Sequence, residues 1–281
     1  MASFTNQATL TVRGVTASSN TVTGEIVGVL TAAKTSLEES YSLGSGITYI
    51  LSIINSGDAA LNSVTVTDDL GLGTGTNAPL SYVDGSAVWF LDGVRQAGIT
   101  VGTGNGLVFS NLTVPANGNS IIIYDTVVND YAASGVGSEI TNTAVISGGT
   151  SPVEVTETVP VLEEPSLTIS KALSPLTVHE NGSVTYTFVI ENVGNLPADV
   201  EDGVILSDTF NPVLTGLCAE LNGTPLTLTE DYTYDQLTGE FNTVSGVITV
   251  PAASSSKGAD GRTAIVPGRT VLTVSGSLGA Q

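Results

Sequence analysis

Basic residues are scarce in this chain: 7 Lys and Arg stand against 27 Asp and Glu, a formal charge of −20. Phosphate recognition needs clustered Lys and Arg, so no nucleic-acid partner is expected. The same balance argues against docking on an anionic membrane surface. Histidine and cysteine occur once each, as His179 and Cys218. That excludes most metal sites built on His and Cys, and no metal is expected. No internal disulfide can form. A Ser-His-Asp triad would depend on His179, which lies in TVHENG and reads as a solvated turn residue. Cys218, in TGLCAEL, reads as a small buried apolar residue. Aromatic residues are only 5% of the chain, which disfavours a ligand-gripping aromatic surface, although Trp89 in AVWFLDG is a candidate for one. No apolar run approaches the ~20 residues of a membrane span, so no membrane insertion is expected. The opening MASFTNQATL has no basic start and no apolar core, so no secretory signal is expected. DDLGLGTGTN (68–77) is Gly-rich and acidic but lacks the spacing of a calcium or phosphate loop, and no cofactor is expected.

The residues that are present describe a folded acidic protein. Charged residues make up 12% and apolar residues 41%, with a mean hydropathy of +0.29, unlike an acidic disordered chain. A length of 281 residues suits about two domains of ~100–200 residues each. Alternating or β-branched runs recur at 8–12, 47–54, 63–68, 107–114, 120–128 and 140–147. The style repeats at 166–171, 183–192, 203–208, 246–250 and 270–276. Gly, Asn, Asp and Pro punctuate these runs, and no helical period is sustained. The pattern predicts an all-β protein of two tandem immunoglobulin-like β-sandwiches.

The two halves repeat one another. YSLGSGITYILSIINSG (41–57) matches TVHENGSVTYTFVIENVG (177–194). VTVTD ending at Asp68 matches VILSD ending at Asp208, and SIIIYDTVV (120–128) matches TVLTVSGSL (270–278). Lys34 and Lys171 precede the two copies, 137 residues apart, and only one other lysine, Lys257, exists. The repeat is out of phase with the chain ends. The first half finishes on ITNTAVIS with Asn142, and the second half has no such strand. Its counterpart stands at the start of the chain, FTNQATLTV with Asn6. The expected layout is residues 1–28 as an N-terminal donor strand and linker, 29–158 as the first sandwich, 159–168 as a linker, and 169–281 as a second sandwich lacking its last strand.

Each sandwich then carries a Lys on its first strand, an Asp ending a middle strand and an Asn on the final strand. These are Lys34, Asp68 and Asn142 in the first, and Lys171, Asp208 and a donated Asn6 in the second. Asp69 is a rival to Asp68, and the repeat alignment favours Asp68. Burial disfavours the charged form, which drives a lysine amine toward neutrality and a carboxyl toward protonation. A neutral amine can attack the Asn carboxamide while a protonated Asp polarises its carbonyl, and the fold supplies the proximity. The product is an isopeptide bond, intramolecular for Lys34–Asn142 and intermolecular for Lys171–Asn6. The reaction occurs once per site, so no turnover enzyme is expected. In the donor strand, Phe4, Asn6, Ala8, Leu10 and Val12 share one parity and are expected to face inward, as Ile140, Asn142, Ala144 and Ile146 do. A sandwich lacking a strand recruits one from another copy, and a head-to-tail contact that does not close on itself makes a filament. The alternative is that Asn6 completes the second sandwich of its own chain. An adhesin-type binding module is the rival function.

The Lys before the first core strand, the strands GSVTY and GITYI, the turns NSG and NVG, the VTVTD strand and ITNTA together resemble a bacterial conserved-repeat surface domain, the eleventh domain of unknown function. The two repeats and the permuted FTNQATL start are similar to the clostridial spore-appendage subunits of that family. The resemblance implies synthesis in the mother cell, assembly on the spore surface without secretion, and contact with other appendage or spore-coat proteins. It also implies that isopeptide chemistry, known in related adhesin and pilin domains, is available here.

Overall fold

The computed structural model describes residues 2–26, 28–104, 106–179 and 182–278. The chain divides into two compact units, Met1–Ala133 with Gly137–Val161 and Ser134–Val136 with Leu162–Gln281. Both are all-β. Among the described residues the one helical element is the 3-10 turn Val200–Asp202.

In the first unit one sheet runs Val94–Arg95, Val88–Leu91, Gly118–Val128, Gly46–Asn55, Leu30–Ser36 in spatial order, and the other runs Thr100–Gly102, Leu107–Val114, Leu61–Asp68, Glu139–Ser147, Val153–Pro160. The long strands alternate. Ile47, Tyr49, Leu51 and Ile53 are buried, as are Ile122 and Tyr124 opposite them, and Ile140, Ala144 and Ile146 on the other sheet. A period of two with one face apolar is what packs two sheets face to face. Each fully buried Ile or Leu contributes roughly 1.5–3 kcal/mol. One edge between the sheets is tied by Ser36, whose amide and hydroxyl both donate to Glu157 Oε1 at 3.1 and 2.9 Å. The expected linker at 159–168 is shorter than its sequence suggests. The strand Val153–Pro160 continues into it, and Val159 and Val161 are buried in the first core. Burying two valines holds that stretch to the sheet, and the next strand begins at Leu167.

The second unit has the same first sheet: Leu167–Ser174, Ser183–Asn192, Gly268–Leu278, Leu214–Leu221, Thr224–Pro225. Its second sheet holds three short strands, in the order Ser207–Thr209, Glu240–Thr243, Tyr232–Tyr234. The core comprises Phe188, Ile190, Phe210, Phe241, Ile248, Leu272 and Val274, among others. The strand expected over 203–208 shrinks to Ser207–Thr209, and 246–250 is reduced to a bridge between Val250 and Ala198. Gly203 and Gly246 both have positive φ, 64° and 82°, which interrupts an extended run, while Leu206 and Ile248 are still buried.

The N-terminal segment is a hairpin. Ala2–Asn6 pairs with Val22–Ile26, and Thr9–Val12 pairs with Val15–Ser18. Arg13 and Gly14 turn the chain at φ 51° and 85°, the two positive values a two-residue type I′ turn requires. The part expected as linker therefore holds the returning strands Val15–Ser18 and Val22–Ile26, which pair back along the N-terminal strands.

A buried asparagine anchors the same turn in each unit. Asn55 Nδ2 donates to Ala59 O at 2.8 Å and Pro115 O at 3.0 Å, and its Oδ1 accepts from Gly57 N at 2.9 Å. Asn192 donates to Leu196 O and accepts from Gly194 N in the second unit. Asn55→Ala is expected to lower stability by about 2–4 kcal/mol, since it strands buried backbone groups. The shift of the urea midpoint of the first unit measures it.

Candidate functional site

The first unit brings all three of its expected site residues into one core. Lys34 sits on the edge strand Leu30–Ser36, opposite Leu51. Its position in the alternation turns it inward, and its side chain is 0% exposed. Asp68 ends its strand on the facing sheet with a side chain 1% exposed, and Lys34 Nζ donates to its Oδ2 at 2.7 Å. Asn142 lies on the strand beside Asp68. Ala144 is the direct partner of Asp68, so Asn142 is its diagonal neighbour on the same face. Asn142 is 0% exposed, and neither atom of its carboxamide makes a hydrogen bond. Leaving buried donors and acceptors unmade costs roughly 1–3 kcal/mol each, so this amide is an expensive feature for a core to retain.

Two tyrosines complete the enclosure. Tyr49 and Tyr124 are paired across their sheet, and their rings stack at 5.6 Å. The Lys34 amine stands 4.8 Å from the Tyr49 ring centre. The Tyr124 hydroxyl donates to Asp68 Oδ2, the oxygen that also receives Lys34. The amide of Leu70 donates to Asp68 Oδ1 at 2.9 Å. Gly106 permits the approach behind the acid: at φ 86°, a Cβ there would stand 2.5 Å from the Asp68 carbonyl oxygen. Asp69 is engaged elsewhere. Its Oδ1 accepts from the amides of Gly71 and Thr143, each at 2.9 Å, so the sequence rival holds backbone while Asp68 meets the amine.

Burial pushes the Lys34 pKa down, and the Asp68 carboxylate opposes that shift without cancelling it. Burial also pushes the Tyr49 and Tyr124 hydroxyls well above their ordinary value, with the Asn142 carboxamide nearby offsetting part of the rise. Tyr41 is pushed up to about 12 by burial and by Glu139. The site thus holds an amine driven toward its neutral, nucleophilic form, a carboxyl able to take its proton, and an unbonded carboxamide as electrophile.

The second unit repeats this only in part. Lys171 pairs with Asp208 and stands 4.7, 5.3 and 5.4 Å from the ring centres of Tyr186, Phe188 and Phe210. Here the lysine side chain is 41% exposed and the aspartate 19%. The lysine strand Leu167–Ser174 is exposed almost throughout, with Ile169 at 58%. Among the described residues Ser207–Thr209 pairs only with Glu240–Thr243, whereas its counterpart Leu61–Asp68 is flanked on both sides. Asn6 lies in the hairpin, where it pairs with Val22. The donor residues Phe4, Ala8, Leu10 and Val12 are all exposed, Leu10 at 71%.

Sequence reasoning missed the tyrosines, although parity within SIIIYDTVV marks Tyr124 as inward-facing. Cys218 is a correction: it is exposed rather than buried. A bulge between Thr215 and Cys218, at Gly216 with φ 61°, shifts the strand so that Ala219 takes the core position. His179 is exposed. Trp89 is partly buried against the core, and its Nε1 donates to Ser120 Oγ at 2.7 Å. Among the described residues no group of three or more His, Cys, Asp and Glu side chains is placed to hold a metal ion.

No protein-family model matches the chain, and no curated protein matches it. Solved structures similar to it include the pilus backbone of Streptococcus pneumoniae, with 14% identity and a TM-score of 0.36 over 85% of this chain and 55% of that one. The major pilin subunit of Bacillus cereus is 15% identical, with a TM-score of 0.36 over 94% of this chain and 73% of that one. The collagen-binding subdomain of an Enterococcus faecalis surface protein is 8% identical, with a TM-score of 0.31 over 49% of this chain and 99% of that one. The chain thus spans about half the length of the pneumococcal protein.

Two outcomes are expected in an Asn142→Ala background, where no bond can form. Asp68→Asn removes the countercharge of a buried amine and is expected to cost about 3–5 kcal/mol by urea unfolding. Alkaline pH is expected to destabilise the fold. Tyr41, Tyr49 and Tyr124 have folded pKa values above their unfolded value of 10.0, so their stabilising contribution is complete below pH 10 and is lost above it. Lys34, shifted down from 10.5, acts oppositely as pH approaches that value, but one group opposes three. Urea midpoints at pH 7, 9 and 11 report the sign, with the fall expected between the last two.

Proposed function

We propose that this chain is the structural subunit of an extracellular filament, of the spore-appendage kind, assembled head to tail by donor-strand complementation. The N-terminal strand of one copy fills the open edge at Ser207–Thr209 in the second unit of the next. Asn6 then meets Lys171, as Asn142 meets Lys34 within the first unit, and both pairs close as isopeptide bonds promoted by Asp208 and Asp68. The partner is another copy of the chain, and the chemistry is a single turnover per site.

The observation that carries this reading is the mismatch between the two units. The second holds the lysine–aspartate pair half exposed at an unpaired strand edge, while the asparagine and its apolar neighbours stand exposed on the N-terminal hairpin. An exposed apolar row and an unpaired edge are costly separately and complementary together. The first unit supports the same geometry in completed form, with the Asn142 strand seated between Leu61–Asp68 and Val153–Pro160.

The bond-forming step balances without a co-reactant. The lysine ammonium gives one proton to the aspartate, and the amine attacks the asparagine Cγ. The Nζ–Cγ bond forms and the Cγ–Nδ2 bond breaks. One of the two lysine protons reaches Nδ2, ammonia leaves, and the other, held by the aspartate, goes with it on release as ammonium. The Lys34–Asn142 bond closes a loop of 108 residues, which by analogy with a disulfide stabilises by ~4–5 kcal/mol.

Assembled protein boiled in SDS is expected to run as a ladder of covalent multimers. Lys171→Ala or Asn6→Ala is expected to collapse the ladder to monomer while leaving the first unit's mass loss of about 17 Da, one ammonia per acyl substitution, intact. A single monomer band carrying two such losses would instead put Asn6 in its own chain and overturn head-to-tail joining.

A further inference from the structure

We propose that the Tyr124 hydroxyl is the proton relay of the first unit's cross-link, passing a proton from the Asp68 carboxyl to the departing Asn142 nitrogen, and that the second unit lacks this relay. This rests on the reading of Lys34 and Asn142 as a cross-linking pair.

The hydrogen bonds on Asp68 decide where its proton sits. Oδ1 receives the backbone amide of Leu70, which can only donate, so that oxygen remains an acceptor. The proton taken from Lys34 therefore resides on Oδ2, where Lys34 donates at 2.7 Å. Oδ2 is also the oxygen bonded to the Tyr124 hydroxyl. A phenol both donates and accepts. It can take the proton from Oδ2 while handing its own to a neighbour. The Asn142 carboxamide acts on that hydroxyl as it does on Tyr49's, and neither of its polar atoms makes a hydrogen bond. In the relayed step Nζ–Cγ forms, Cγ–Nδ2 breaks, the hydroxyl proton moves to Nδ2, and the Asp68 proton replaces it on Tyr124. The phenol ends as it began, and Asp68 is left free to take the next lysine proton.

The relay has no evident substitute. Tyr124 is 1% exposed, and its ring is held by Tyr49 at 5.6 Å and Phe109 at 5.2 Å, so the hydroxyl is fixed. The Tyr49 hydroxyl feels both the Asn142 carboxamide and the Asp68 charge but makes no hydrogen bond to Asp68, so only Tyr124 can exchange a proton with it directly. The second unit keeps the equivalent of Tyr49, Tyr186, but its partner across the sheet is Val274 where the first unit has Tyr124. Its lysine is instead caged by rings and reached by solvent.

The test is intact mass during cell-free synthesis of the full chain. Wild-type chain is expected to lose about 17 Da from the first unit, and Tyr124→Phe, which keeps the ring, to lose it about 100-fold more slowly or worse, within the usual range for removing an acid–base group. Tyr41→Phe, which removes a tyrosine hydroxyl bonded to the Ala133 carbonyl rather than to Asp68, is expected to close at the wild-type rate. 3-Fluorotyrosine placed at position 124 is expected to restore closure, which a mere packing defect would not explain. Closure of Tyr124→Phe at the wild-type rate overturns the relay. So does a Tyr124→Phe chain that unfolds in the Asn142→Ala background, since the hydroxyl would then be structural. A wild-type chain that keeps its full sequence mass, with no ammonia lost from the first unit, brings down the cross-link reading itself, a result distinct from either.

Discussion

An ionisable lysine and an aspartate enclosed between two apolar sheets set the terms for everything around them. Neither can be buried alone, because an uncompensated charge in that environment is too costly to hold. The first unit meets the constraint by giving Asp68 three donors, Lys34, Tyr124 and Leu70. It places the amine over the Tyr49 ring and seats a strand over the whole group. The same enclosure leaves the Asn142 carboxamide buried without a hydrogen-bond partner on the strand beside Asp68.

The second unit shows the same constraint met by a smaller second sheet. Its first sheet is built like that of the first unit, with the same alternation and the same buried asparagine at the turn after the second strand. Among the described residues its second sheet has no strand beyond Ser207–Thr209, and the lysine–aspartate pair is partly open to solvent. Water then screens and solvates the pair, so it is weaker as a structural feature than its buried counterpart. Conversely, the N-terminal hairpin holds its apolar row in water, the Phe4 ring lying across Gly24 as its only evident cover.

Much of this was legible in the strand pattern. The runs at 107–114 and 183–192 became strands with the same limits, and the inward parity of Ile140, Asn142, Ala144 and Ile146 is realised. Shorter, glycine-bounded runs were less so. The stretches 203–208 and 246–250 look like strands, but Gly203 and Gly246 sit at positive φ and break them. Val159 and Val161 read as linker because prolines and acids surround them, yet they complete the first core. Cys218 was placed inside by composition and outside by a bulge. Tyr124 was passed over because one polar atom on an apolar ring carries almost no pattern signal, although that atom is what binds Asp68.

By itself the sequence determined the all-β class, the out-of-phase repeat and the recurrence of Lys, Asp and Asn at equivalent places. These follow from local periodicity and spacing, which need no knowledge of what lies across the sheet. Tertiary structure decided the rest. It turned Asp69 to the Thr143 and Gly71 amides and brought to the Lys34 amine Asp68, the residue the repeat alignment already favoured. It folded the N-terminal segment into a hairpin and made one lysine buried and its equivalent half exposed. Burial and desolvation depend on which strands meet in space, and adjacent positions in a strand differ by a whole face of the sheet.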